Sequence, residues 1–113
     1  MQQRDRDILE HIIRYCDRIA GYLDKIENSK ARFLEDQMCQ DACCMCIAQI
    51  GELSGHLSDE YKSRHTQVQW YMIAGLRHRL VHNYDGTNWN IIAEVVFDEL
   101  PVLAEQIRNL LER

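Results

Sequence analysis

Apolar residues return along this chain in steps of four and three, the rhythm of helices that bury one face. The first run is Ile8, Ile12, Tyr15, Ile19, Tyr22 and Ile26, with Leu9, Ile13, Cys16, Ala20 and Leu23 beside it. Together they predict a core-facing helix over about residues 5–27. Asp5, Arg6, Asp17, Arg18, Asp24 and Lys25 fall mostly outside that face. Asn28-Ser29 supplies turn chemistry to end it. A second run, Cys39, Cys43, Cys46, Ile50, Leu53 and Leu57, predicts a helix that starts between residues 34 and 37 and ends near 57. Residues 58–66 read as a polar connector with a short helical turn around Asp59-Glu60-Tyr61.

A third helix is predicted over residues 67–82, with Val68, Met72, Leu76 and Leu80, joined by Ile73, as its core stripe. Tyr71, Gly75, His78 and His82 line the far side. Glycine costs a helix about 1 kcal/mol relative to alanine, so Gly75 calls for the close approach of another backbone. A helix with a core face and an opposite face of aromatic, glycine and histidines is expected to meet a second copy, and a homodimer follows. Asp85-Gly86 marks a turn, with Thr87 or Asn88 as N-cap. The last helix carries Ile92, Val96, Leu100, Leu103, Ile107 and Leu110. Pro101 interrupts it and should kink it or mark a restart, since proline lacks an N–H and clashes with the preceding turn. The expected fold is all-α, an up-down four-helix bundle with an extra short helical piece. There is no internal repeat.

Composition narrows this reading. The chain has 113 residues, the size of one domain, and 46% are hydrophobic. One proline and five glycines leave few helix breakers. No run of about 18 apolar residues suggests a membrane span, and the charged N-terminus lacks the apolar stretch of a signal peptide. A cytoplasmic protein that makes no membrane contact is expected. Five cysteines then fit a reducing compartment. Cys43 and Cys46 have the separation of half a zinc site, but they lie mid-helix with no second pair. Core packing is the favoured reading, ahead of metal or redox chemistry and then a disulfide. No cofactor is expected. The net charge of -5 argues against a broad electrostatic nucleic-acid binder, so any RNA contact must be focused.

One stretch offers such a focus. Arg77-His78-Arg79-Leu80-Val81-His82-Asn83-Tyr84 gathers two arginines, two histidines and a tyrosine without a carboxylate. Arginine grips phosphate with parallel hydrogen bonds. Histidine moves protons near neutral pH. These are the parts of a metal-independent phosphodiester-cleaving site. On a regular helix Arg77 and His82 point about 140° apart, whereas His78 and His82 share a face. Either the helix loosens after His82, or a two-fold axis brings arginine and histidine of different chains together; a combination is favoured. Taken singly, each residue has a plainer reading. A histidine near a helix C-terminus complements the helix dipole, Arg79 is a solvated charge, and Trp70 and Trp89 are packing residues, with base stacking as their other reading. His11, His56 and His65 carry no functional claim.

Arg77, four residues, His82, one residue, Tyr84 resembles the signature of the HEPN superfamily in its minimal toxin branch, the HepT-like toxins. His78 fits the polar residue usual after that arginine. Ile50-Gly51-Glu52, Leu57-Ser58-Asp59 and Asp98-Glu99-Leu100-Pro101 are similar to words of the branch's second and last helices, so the resemblance covers most of the chain. It implies a single HEPN-like domain over residues 1–113 and a composite site at a dimer interface. It also implies a ribonuclease toxin, partnered by a minimal nucleotidyltransferase antitoxin that transfers AMP to the tyrosine, here Tyr84, and silences the enzyme. Arg77 and His82 are then the catalytic residues, with His78 and Tyr84 in support. His82 would move protons, Arg77 bind the scissile phosphate, His78 orient His82 or supply a second proton, and Tyr84 bind phosphate or stack on a base. Glu52 is a candidate polar partner of the site. The alternative is a non-catalytic helical module that binds a nucleotidyltransferase.

Overall fold

The structure is a computed structural model that describes residues 1–83 and 88–112, with the backbone alone for 81–83. The expectations placed on the His82 side chain, Tyr84, Asp85-Gly86 and Thr87 lie outside the described residues. The described elements are all helical: α1 (Gln3–Asp24), α2 (Lys30–Phe33), α3 (Gln37–Gly55), α4 (Asp59–Arg64), α5 (Trp70–Ala74), α6 (Leu76–Asn83), α7 (Trp89–Glu94), a π-helical segment (Val95–Glu99) and α8 (Leu100–Leu111). Grouped by continuity, these make four long helical arms, as the periodicity predicts. Arm α3 packs between α1 and the α5–α6 arm, and α1 packs on α8.

The centre of the first face is buried as expected, through Ile8, Leu9, Ile12, Cys16, Ile19, Leu23 and Ile26, whereas its margins Ile13, Tyr15 and Tyr22 are half-buried and Ala20 is exposed. After α1, Glu27 and Asn28 take positive φ values of 58° and 54°. This left-handed pair lets the Asn28 N–H reach back to the Leu23 carbonyl at 2.8 Å and close the helix. Ser29 then caps α2, a short helix the periodicity did not predict. It carries Phe33 into the core, edge-on to Phe97. Asp5 departs from its expected place. It is 2% exposed, and its carboxylate accepts hydrogen bonds from the Ser58 N–H at 2.9 Å and the Ser58 hydroxyl at 2.8 Å. That hydroxyl in turn accepts from the Tyr61 N–H and caps α4. The buried carboxylate thus ties the start of α1 to the connector, a demand that outweighs its polarity.

Arm α3 starts on an Asp36 cap. Cys39, Cys43, Cys46 and Ile50 are buried along it, so the cysteines fill core positions. Burial pushes the Cys43 thiol up, and raises Cys16 to about 12 and half-buried Cys44 to about 11. No group of three or more metal-ligating side chains comes together among the described residues.

The third predicted helix is broken. Its first part starts at Trp70, and Gly75 separates α5 from α6. Of the expected stripe Val68, Ile73, Leu76 and Leu80 are buried and Trp70 joins them, whereas Met72 stays 42% exposed instead of buried. Trp70 packs against Tyr61 and donates its indole N–H to the His65 carbonyl at 2.9 Å. In the last arm Asn88 caps α7, and the predicted stripe from Ile92 to Leu110 is buried. The π segment lies immediately before Pro101, and the Leu100 N–H bonds five residues back to Val95. Such a wide turn absorbs the missing N–H and ring of a proline. Pro101 thus sits in the first turn of α8, where the helix restarts. No helix among the described residues is long and apolar enough to cross a membrane.

Candidate functional site

The site grows from the contact between α3 and α6. Gly51 is buried in α3, and a Cβ added there would lie 3.2 Å from the Arg77 backbone nitrogen and 3.3 Å from its Cβ. The two helices approach this closely only because residue 51 has no side chain. A Cβ at Gly75, the glycine for which the sequence suggested a close neighbour, would meet among the described residues the carbonyls of Tyr71 and Met72, at 3.4 Å.

The close crossing brings the next residue of α3 to the arginine. Glu52 Oε2 accepts a hydrogen bond from Arg77 Nη1 at 2.7 Å. The other carboxylate oxygen, Oε1, lies 3.3 Å from His56 Nε2, one turn along α3. A carboxylate is therefore bracketed by a guanidinium and an imidazole on an exposed surface, with Arg77 61% and Glu52 51% open to solvent. The base of Arg77 packs against buried Gly51 while its tip reaches Glu52 of α3. His56, to which the sequence gave no role, is part of this cluster. The sequence signal that could have found it is its position four residues after Glu52, one helical turn on the same face.

Arg79 points to the other flank of α6. Its two terminal nitrogens each donate to one oxygen of Glu99 at 3.2 Å, a fork-to-fork pair with the π segment. It is not the solvated charge the sequence suggested. Thus the two arginines of the motif are held from opposite sides, by α3 and by the last arm. His78 is exposed on α6, and Tyr71, one face with it, is 79% exposed. His82 and Tyr84 cannot be added to this geometry, since the His82 side chain and Tyr84 lie outside the described residues.

Chemically, the described part of the site offers an anchored cation with free donors, a carboxylate and imidazoles at the surface of an acidic protein. It could grip one phosphate group and move a proton.

Residues 12–110 match the family model described as "Ribonuclease HepT-like". Two relatives align over nearly their whole length. "Putative RNase TTE0752" of Caldanaerobacter subterraneus subsp. tengcongensis is 33% identical over 108 residues, 96% of this chain and 95% of that one. "Probable ribonuclease HepT" of Thermococcus cleftensis is 26% identical over 110 residues, 97% of this chain and 98% of that one. No solved structure matches the chain.

Proposed function

We propose, from the premise that this chain belongs to the HepT-like ribonuclease family, that it is a metal-independent endoribonuclease and the toxin of a toxin–antitoxin pair. The observation that carries the reading is the exposed Arg77 guanidinium, anchored on α6 five positions before His82. Arg77 binds the scissile phosphate and stabilises the charge that develops on it. His82 takes the proton from the ribose 2′-hydroxyl or gives one to the leaving 5′-oxygen. His78 orients His82 or supplies the second proton, and Tyr84 binds phosphate or stacks on a base. The products are a 2′,3′-cyclic phosphate and a 5′-hydroxyl.

The working unit is a homodimer. On a regular helix Arg77 and His82 diverge by about 140°, and a two-fold partner brings the two groups into one cleft. The exposed Tyr71 and Met72 of α5 and the small Gly75 support a contact between copies. A cognate minimal nucleotidyltransferase silences the enzyme by transferring AMP to Tyr84. The added bulk and negative charge beside Arg77 block phosphate binding.

The test is RNA cleavage by the purified protein in chelator, with the ends of the products identified, beside growth on induction. Wild type is expected to cleave and to arrest growth, and His82→Ala to do neither. A metal requirement, 5′-phosphate ends, or full activity of His82→Ala overturns the mechanism. Binding of the nucleotidyltransferase without cleavage under any condition favours a non-catalytic module instead. Co-expression with an active partner should add the mass of AMP to the wild type but not to Tyr84→Phe.

A further inference from the structure

The two arginines of α6 are held in different ways, and the difference singles out one carboxylate. Glu99 occupies both terminal nitrogens of Arg79, which leaves that guanidinium little to offer a phosphate. Glu52 takes only one nitrogen of Arg77, at 2.7 Å, and is its sole partner among the described residues. A guanidinium has five N–H donors in a rigid plane, so Arg77 keeps most of its fork for another oxyanion while one corner is pinned. An exposed ion pair of this kind adds little to stability, so its consequence is geometric.

We infer that Glu52 is a positioning residue for the ribonuclease site, orienting the Arg77 guanidinium for phosphate, with Gly51 setting the distance between the helices that makes the contact possible. The inference rests on the ribonuclease reading above. Three features support it. At the Gly51 crossing a Cβ would lie 3.2 Å from the Arg77 backbone nitrogen, so even a methyl group there would push the two helices apart by a few tenths of an ångström. His56 lies against the second oxygen of Glu52 at 3.3 Å, so the carboxylate is steadied from its far side. The pair joins residues 25 positions apart on separate helices, so it reports the α3–α6 packing directly to the tip of Arg77. Glu52 neither touches RNA nor transfers a proton in this scheme; it acts through Arg77.

Steady-state cleavage of a short RNA by Glu52→Ala and Glu52→Gln tests the role. Misplacing a group by about 1 Å commonly costs up to a hundredfold in rate. Glu52→Ala should therefore lower kcat by about ten- to a hundredfold. Its KM should not rise, since a negative charge beside the phosphate site has gone. Glu52→Gln, which keeps an acceptor oxygen, should retain part of the rate, and both should melt with wild type. An unchanged kcat overturns the inference, and so does a raised kcat, which would make Glu52 a competitor for Arg77. A second measurement needs no RNA: the order of the Arg77 side-chain N–H signal by NMR, assigned with Arg77→Lys. It should be restricted in wild type and averaged in Glu52→Ala. Equal order in the two proteins overturns the positioning role. Restricted order in a wild-type protein without ribonuclease activity would leave the positioning of Arg77 standing and remove the ribonuclease reading alone.

Discussion

Single residues in this protein do work that their type alone does not announce. Asp5 is a carboxylate on the first turn of a helix, where negative charge is ordinarily just a complement to the dipole. Here it is buried and accepts two hydrogen bonds from Ser58. Its removal would strand a Ser58 N–H and loosen the cap of α4, and hydrogen bonds to charged groups contribute about 1.5–3 kcal/mol. Asp5→Ala should therefore lower unfolding free energy by about 2–3 kcal/mol in a urea titration, with Asp5→Asn milder. The thiols give a second residue-scale expectation. Burial raises Cys16 from 9.0 to about 12. Below pH 9 the thiol is protonated in both folded and unfolded chains, and the shift has no effect on stability. Between pH 9 and 12 the unfolded chain ionises the thiol while the fold keeps it protonated, so stability should fall as pH rises through that window. Replacing Cys16 with alanine should flatten that fall, though the cavity lowers stability at every pH. At neutral pH the core thiols should react with a thiol reagent only on unfolding, half-buried Cys44 first.

At the scale of elements, two glycines separate crossing from breaking. Gly51 sits where α3 and α6 touch, and a side chain there meets backbone that must move. Overpacking of this sort costs about 1–3 kcal/mol, opposed in part by the better helix propensity of alanine, about 1 kcal/mol. Gly51→Ala should thus change stability little, and Gly51→Val should destabilise by about 2 kcal/mol or more. Both should lower ribonuclease activity more than melting temperature, since Arg77 rides on the displaced helix. Gly75 has ordinary space within its own chain and a φ of -77° that any residue adopts. Gly75→Ala should leave the monomer as stable or stabilise it by up to about 1 kcal/mol. If the copies meet there as proposed, the same change weakens dimerisation in sedimentation equilibrium; an unaltered dimer would remove Gly75 from the interface. The last arm adds a different device. The π segment converts the disruption at Pro101 into a wide turn, and that turn presents Asp98 to Lys30 and Glu99 to Arg79. A break in regularity thereby fastens α2 and α6 to the last arm.

At the scale of the whole molecule, 18 carboxylates outnumber 13 Lys and Arg, for a net charge of -5. Arg77 and Arg79 are each paired with a carboxylate, so among the described residues of α6 both guanidinium charges are partly offset. RNA affinity should fall with salt in proportion to the few phosphates gripped, about 0.7 log units per log unit of salt for each. A measured slope of about -1 to -3 fits a focused site; a much steeper one would point to a broad basic track that the described surface lacks.

The four arms, most of their buried faces and the restart at Pro101 were legible in the chain itself, because helix periodicity and proline chemistry act over a few residues. The sequence also supplied the family, through the spacing of Arg77, His82 and Tyr84 and the words around it. Tertiary structure decided what is joined across distance. Asp5 meets Ser58 53 positions away, and Arg77 meets Glu52 25 positions away. It decided that the third arm breaks at Gly75 and that Met72 stays outside the core. No local pattern encodes these outcomes, since each depends on how closely two helices cross, and that distance is set by what their facing residues lack as much as by what they carry.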